Sequence, residues 1–254
     1  MSALVFIICW FPAAKKGSYK YVMNKKYKWI GFDADDTIWE NETFFRETEY
    51  QFAKLLSEFC DEQTIMQELY KTELDNLKDY GFGIKGFMLS MIETAIRLSK
   101  GKVGIDKISC MIELGKCMLN KPVKFIDGSK EVIESLSKKG YKLVVLTKGD
   151  LLDQERKLSK ANIKQYFHHI EIMSDKQEAN YNKILEHLNI EARDFLMIGN
   201  SLKSDILPVL NLGGSAVHIP FHTTWVHEEV ENNKKLENFW ELEQMAQLEE
   251  VLGL

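Results

Sequence analysis

The sequence predicts an α/β protein whose parallel β-sheet is covered by helices on both faces and is interrupted by a helical insertion. Short apolar runs of strand length occur at residues 28–32, 142–147, 169–173, 195–199 and 216–220. From residue 142 onward, segments with helical periodicity separate these runs. Continuous apolar strands that alternate with helices are typical of a parallel sheet that is buried on both faces.

Helical segments are predicted at residues 150–163, 178–190 and 204–214, between the later strands. The last of them ends in Gly213 and Gly214, which suit a helix stop. Each later strand is therefore expected to lead through a helix to the next strand.

The chain between the first two strands predicts a separate helical unit. Apolar residues recur at spacings of three and four through residues 41–59, 61–80, 84–100 and 105–120. A block of this length exceeds a simple crossover. We therefore expect a helical insertion at residues 41–122 and an α/β core built from residues 23–40 and 123–254.

Composition limits the partners of the protein. The 254 residues are 45% hydrophobic, which is enough for a packed core, and the net charge of -5 gives no basic surface for nucleic acid. Four cysteines without a CxxC pair indicate neither a disulfide framework nor a zinc knuckle, so a reducing cytoplasm is expected. We expect no nucleic-acid or membrane partner, and the oligomeric state stays open.

The N-terminal segment has an apolar stretch at residues 3–14, which resembles the core of a signal peptide but lacks preceding positive charges. It is shorter than the roughly 20 apolar residues that span a bilayer. Met23 opens a segment that still contains the complete first strand. Residues 1–22 are therefore expected to be an extension outside the working fold, with a secretion signal as the alternative.

Three carboxylates follow the first strand within the stretch "WIGFDADDTIWE": Asp33, Asp35 and Asp36. Two carboxylates 4 Å apart repel by about 4 kcal/mol at an effective dielectric constant near 20. Something must offset this repulsion. A bound cation is the candidate, and Mg2+ is a hard ion that binds carboxylate oxygens.

Polar residues also follow the other strands. Thr147 and Lys148 end the second strand, Lys176 follows the third, and Asn200 and Asp205 follow the fourth. Ligands of open α/β sheets bind beyond the carboxyl ends of the strands. We therefore expect these groups to converge on one crevice.

Four segments together resemble the motifs of the haloacid dehalogenase-like hydrolases, in the same order along the chain. They are "WIGFDADDTIW", "KLVVLT", Lys176 and "MIGNSLKSD". Four motifs in order after four predicted strands are far more specific than any one of them. The resemblance implies a Rossmann-like core and identifies the helical insertion as a cap between the first two motifs.

The resemblance implies that Asp33 is the nucleophile, forming an aspartyl-phosphate, and that Asp35 is the general acid and then the general base. Residues two apart in extended backbone point to the same side, so both side chains can face the crevice. A like-charged neighbour would help one of them to hold a proton. The alternative for both is a turn cap. Asp36 is expected to be a turn or helix-cap residue, and Thr37 to fix the turn.

The family also implies a Mg2+ site made of the Asp33 carboxylate, the main-chain carbonyl of Asp35 and a fourth-motif acid. This sequence has Asn200 where an aspartate is usual, which removes one negative charge. Asp205 is expected to ligate directly or through water, with a helix N-terminal charge as the alternative.

In the family, the second-motif threonine and the following backbone amides bind phosphoryl oxygens, which implies these roles for Thr147 and for the amides that begin at Lys148. Lys176 would neutralise charge on the transferring group. Lys183 competes for that role, but it lies within a helical pattern whereas Lys176 directly follows a strand.

The expected function is a Mg2+-dependent phosphatase acting on a small phosphorylated metabolite. The related dehalogenases lack the second aspartate, so Asp35 counts against that activity. A phosphomutase is one alternative, although every histidine lies at or beyond His168, outside the insertion. The other is a catalytically weak binding or regulatory protein, for which Asn200 is the argument.

Three weaker patterns remain. The glycine-rich stretch at residues 80–87 surrounds Lys85 and is either a loop over the active site or a helix-to-helix turn. The histidines His218, His222 and His227 suggest either a zinc site or a role at the rim of the site or in packing. The acidic tail that begins at Glu228 is expected to be a solvated loop followed by a terminal helix.

Overall fold

A computed structural model of the chain describes residues 23, 26–228 and 236–254. The expected extension at residues 1–22 lies outside this part of the chain. Within it, no helix is both long enough and apolar enough to cross a membrane.

The core is a parallel sheet that has six strands in the described residues, in the order β3-β2-β1-β4-β5-β6. The strands are β1 (Trp29–Phe32), β2 (Lys142–Lys148), β3 (His169–Met173), β4 (Phe195–Gly199), β5 (Ser215–His218) and β6 (Phe239–Glu241). The predicted α/β class and its first five strands are confirmed. The edge strand β6 was not predicted, because three residues are too few to show a periodicity.

Helices cover both faces of the sheet, as predicted. They are α5 (Ser129–Lys138), α6 (Leu151–Ala161), α7 (Glu178–His187), α8 (Leu207–Asn211) and α9 (Gln247–Val251), and a single π-helical turn, Leu202–Ile206, precedes α8. Alternate side chains of β2 point to opposite faces of the sheet. Leu143 and Val145 pack with α5 and α9, while Val144 and Leu146 pack with α7 and α8.

The insertion after β1 is helical, as predicted. Its helices are α1 (Glu42–Leu56), α2 (Glu62–Tyr80), α3 (Ile84–Leu98) and α4 (Ile105–Asn120). Phe52, Leu56, Ile65, Met91 and Met111 form an apolar cluster inside this unit, separate from the clusters on the sheet. The insertion therefore has its own core, while the exact division at residues 41 and 122 stays a prediction.

Two linkers join the insertion to the sheet, and they run side by side. The Glu40 amide donates to the Lys124 carbonyl at 2.9 Å, and the Ile126 amide donates to the Ile38 carbonyl at 3.0 Å. Trp39 lies in the first linker, pairs with Phe125 of the second and is 1% exposed. The linkers thus hold the helices beside the carboxyl end of β1, where the aspartates lie.

Candidate active site

A cleft lies at the carboxyl ends of the strands, between the sheet and the helical insertion. All of the candidate residues line it: Asp33, Asp35, Thr147, Lys148, Lys176, Asn200 and Asp205. The insertion contributes side chains from α1, α2 and α3. Groups that are far apart in the sequence therefore meet at one edge of the sheet.

Lys176 lies at the centre of this group. Its Nζ donates to Asp33 Oδ1 and, at 2.7 Å, to Asp205 Oδ1, and its side chain is 2% exposed. Burial lowers the pKa of Lys176, but Asp205 and Asp33 overcome this and leave the pKa above its usual value. Lys183, the competing lysine, is exposed on α7.

Asp33 is buried next to this ammonium group. Burial raises the pKa of Asp33 to about 7, with Lys176 opposing that rise and Asp205 adding to it. A cationic ligand near the carboxylate would oppose the rise further. Additional positive charge beside Asp33 would therefore favour its ionised carboxylate.

Local backbone geometry brings Asp205 to the site. The π-helical turn after β4 directs its side chain back toward the sheet, where the Ser201 amide donates to Oδ2 at 3.0 Å. A Cβ atom at Gly199 would overlap the Asp205 carboxylate, so glycine is required there. Asp205 is an ion-pair partner of Lys176 and not merely a charge at a helix N-terminus.

The Asn200 amide faces a group of oxygens. One of its terminal atoms lies 3.3 Å from Asp33 Oδ2, 3.3 Å from the Asp35 carbonyl oxygen and 3.2 Å from Thr37 Oγ1. With nitrogen at this position, the amide donates to these oxygens. With oxygen there, four oxygens converge, and such a donor set fits a hard divalent cation.

Asp35 has a different environment from the predicted one. Its Oδ1 accepts from Trp39 Nε1 at 2.6 Å and from Lys157 Nζ at 2.9 Å, and its Oδ2 accepts from Gln154 Nε2 at 2.8 Å. The charged group bonded to Asp35 is therefore an ammonium, which was not anticipated from the sequence. No motif in the sequence indicated Lys157.

Asp36 has the expected structural role. Its carboxylate accepts from the backbone amides of Asn41 at 2.8 Å and of Glu42 at 3.0 Å. These amides lie at the start of α1, where helix N–H groups lack partners within the helix. Asp36 therefore fixes the chain where it enters the insertion.

Thr147 carries a buried hydroxyl group at the cleft. The residue is 1% exposed at the end of β2, and its Oγ1 has no hydrogen-bond partner among the described residues. Leaving a buried polar group unpaired costs about 1–3 kcal/mol. A ligand with acceptor oxygens in the cleft would satisfy this hydroxyl.

Glu228 belongs to the site, although it was expected to begin a solvated loop; residues 229–235 of that loop lie outside the described residues, and the expected terminal helix is α9. Its Oε1 pairs with Lys148 Nζ at 2.6 Å, and its Oε2 accepts from the hydroxyls of Ser201 and Ser204 at 2.5 Å each. Burial acts to raise the pKa of Glu228, but Lys148 and the serines lower it to about 2. The sequence places Glu228 after β5 but gives no sign that it turns back to the cleft.

The glycine-rich stretch of the insertion is both a helix-to-helix turn and a loop beside the cleft, which were the two alternatives. Residues 81–83 form the turn between α2 and α3, and they also line the cleft. Phe82 lies under Lys148 Nζ, 4.0 Å from the ring centroid, and meets Trp225 edge to face. Lys85 pairs with Asp150 at 3.0 Å, so it links the insertion to the core.

His218 fits the packing alternative. Its Nδ1 lies 3.0 Å from Glu241 Oε2, its Nε2 lies 2.9 Å from the Asn200 carbonyl oxygen, and its ring stacks on Phe239. In the part of the chain that the structure describes, no group of three or more His, Cys, Asp or Glu residues is arranged to hold a metal.

Glu73 should make the stability of the fold depend on pH. It lines the cleft, and burial raises its pKa to about 8, with Glu49 and Glu42 adding to the rise and Arg46 opposing it. Between about pH 5 and about pH 8 the folded state then keeps a proton that the unfolded state has lost, so the free energy of unfolding falls as pH rises. Glu73→Gln removes this contribution.

We therefore expect the stability advantage of Glu73→Gln over the wild type to grow with pH. The slope from one such group is at most about 1.4 kcal/mol per pH unit. Urea unfolding at several pH values measures it. Asp75→Asn, at an exposed position on the same helix, is the matched control. A difference between Glu73→Gln and wild type that stays constant with pH would contradict the assignment.

The fold is a parallel α/β sheet with a helical insertion after β1, and comparison with known proteins identifies the family. The sequence model of the haloacid dehalogenase-like hydrolases matches residues 27–213. The chain belongs to this family. The resemblance inferred from the four motifs is confirmed.

Solved structures of similar proteins have the same fold. A haloacid dehalogenase-like family hydrolase from Xanthomonas campestris is 33% identical with a TM-score of 0.79, over 92% of this chain and 95% of that one. A HAD-hydrolase from Bacillus subtilis bound to magnesium is 17% identical with a TM-score of 0.62, over 91% of this chain and 100% of that one. At that identity, the second comparison shows the fold alone.

A curated relative matches part of the chain. Glyceraldehyde 3-phosphate phosphatase from Pyrococcus abyssi is 31% identical over 98 residues, which are 36% of this chain and 41% of the relative. The match therefore spans about two fifths of the relative's length.

Proposed function

We propose that this protein is a Mg2+-dependent phosphatase that hydrolyses a small phosphorylated metabolite through an aspartyl-phosphate at Asp33. The observation that carries the proposal is the meeting of Asp33, Thr147 and Lys176 in one cleft. A nucleophile, an unpaired hydrogen-bond donor and a buried cation are the groups that phosphoryl transfer needs.

In the first step, an Asp33 oxygen attacks phosphorus and the bond to the ester oxygen breaks. Lys176, bonded to Asp33, offsets charge on the transferring group, and the Thr147 hydroxyl donates to a phosphoryl oxygen. Asp35 gives a proton to the departing oxygen. In the second step, Asp35 takes a proton from water, which attacks phosphorus and releases phosphate from Asp33.

Asp33, Asp35 through its carbonyl oxygen, and Asn200 would hold Mg2+. Asp205 lies nearby and shares Lys176 with Asp33. When bound, the ion would supply positive charge to phosphoryl oxygens and keep Asp33 ionised. Asn200 provides an amide oxygen where a carboxylate would add a negative charge.

Asn200→Asp is accordingly expected to bind Mg2+ about tenfold more tightly than the wild type, because cation affinity rises with the number of ligand charges. Isothermal titration calorimetry of both proteins with MgCl2 measures this difference. Asn120→Asp adds the same charge at an exposed position at the end of α4 and serves as the control. Equal affinity in wild type and Asn200→Asp would remove Asn200 from the ligand set.

The function itself is tested with a panel of phosphate esters. Purified protein with MgCl2 is assayed for phosphate release, and glyceraldehyde 3-phosphate belongs at the front of the panel because of the partial relative. We expect release that stops when EDTA removes the metal. If no ester in the panel is hydrolysed, the same fold serves as a binding module and the proposal fails.

A further inference from the structure

Lys157 is a cation at the cleft that none of the four motifs contains. It lies on α6, and its side chain is 17% exposed. Its Nζ donates to both carboxylate oxygens of Asp35, at 2.9 Å and 3.1 Å, and to Asn41 Oδ1 at 2.7 Å. One ammonium group therefore joins the carboxylate of Asp35 to the residue that directly precedes α1.

The main-chain carbonyl oxygen and the side-chain carboxylate of Asp35 face different neighbours. Its carbonyl oxygen lies 3.3 Å from the Asn200 amide, in the group of oxygens around Asp33. Its carboxylate is turned to Trp39, Gln154 and Lys157. Three donors from the linker and α6 thus keep the carboxylate away from the ion pair of Asp33 and Lys176.

We propose that Lys157 is the positioning residue for Asp35, holding its carboxylate at the wall formed by α6 and the linker to the helical insertion. The inference rests on the proposed phosphatase function, in which this carboxylate exchanges a proton with the departing oxygen. Catalytic groups lose rate steeply when displaced, by about 100-fold for an error near 1 Å. Without Lys157, the remaining donors, Trp39 and Gln154, are neutral and would hold the carboxylate less firmly.

Two esters separate this role from a general loss of activity. Benzyl phosphate releases a poor leaving group that needs a proton, whereas p-nitrophenyl phosphate releases a stable anion that does not. We expect Lys157→Met to lower kcat/KM for benzyl phosphate by about 100-fold or more, within the usual range of general-acid catalysis, and to leave kcat/KM for p-nitrophenyl phosphate within about tenfold. Lys157→Gln, a polar second variant, should show the same selective loss.

Lys160→Met is the matched control. Lys160 lies one turn further along α6 and donates to the carbonyls of Leu119, Asn120 and Lys121 at the end of α4, without contacting Asp35. It should change kcat/KM for the two esters equally or not at all. Equal losses on both esters in Lys157→Met and Lys157→Gln, or no loss on either, would overturn the positioning role.

A spectroscopic measurement tests the placement without turnover. Trp39 Nε1 donates to Asp35 Oδ1, so its indole N–H resonance reports where the carboxylate lies. In 1H–15N spectra, Lys157→Met should shift this resonance in the same direction as Asp35→Asn does, and Lys160→Met should not. If wild type hydrolyses no ester, the phosphatase function fails and the Trp39 resonance alone decides the inference. An unchanged resonance in Lys157→Met overturns it.

Discussion

Replacing Asp33 by asparagine is expected to abolish phosphate release, with a loss of at least about a thousandfold in kcat. The amide cannot attack phosphorus, so no aspartyl-phosphate can form. The side chain keeps its shape, and the contact of Lys176 with Asp205 remains. Phosphate release from a substrate found in the panel, with unfolding followed in parallel, measures the effect.

The intermediate itself distinguishes this explanation from a simple loss of substrate binding. Intact-mass measurement after an acid quench should find one added phosphoryl group on wild type and none on Asp33→Asn. Asp106→Asn removes an exposed carboxylate from α4 and should behave as wild type. Substantial turnover by Asp33→Asn would show that another group is the nucleophile.

Lys176→Met should have the second large effect, because it removes the cation from between two buried carboxylates. Breaking one side of a buried ion pair costs about 3–5 kcal/mol. Asp33 and Asp205 would then face each other without the ammonium that joins them. We expect a loss of this size in the free energy of unfolding without added metal, together with a loss of phosphatase activity.

Urea unfolding with and without MgCl2 tests this explanation. Mg2+ should recover part of the lost stability in Lys176→Met, since it restores positive charge beside Asp33. Lys183→Met is the control, because that lysine is exposed on α7. If Lys176→Met were as stable as Lys183→Met, the buried ion pairs would not be significant for the fold.

The sheet was predictable because its central strands are apolar on both faces. In β2, Leu143 and Val145 face one layer while Val144 and Leu146 face the other, so the strand appears in the sequence as an uninterrupted apolar run. Polar residues directly after such runs were placed correctly at the cleft, since parallel strands end at one edge. The short edge strand β6 lacked this signal.

Residues that reach the site from helices and long loops were not predictable. Lys157 lies seven residues after the start of the predicted helical segment, among other lysines, and only the packing of α6 against the linker brings it to Asp35. Glu228 lies ten residues after the end of β5. The spacing of residues in the sequence does not show that Lys157 and Glu228 reach the cleft, because this depends on the three-dimensional path of the chain.

The paired linkers bear on how the helical insertion can be exchanged during evolution. The chain leaves the sheet and returns to it at adjacent points, as the hydrogen bond between Glu40 and Lys124 shows. The spacing of β1 and β2 is therefore independent of what lies between those points. A different helical unit grafted there would face the same carboxylates after β1, so under the proposed function substrate choice and bond-breaking chemistry would be separable in this architecture.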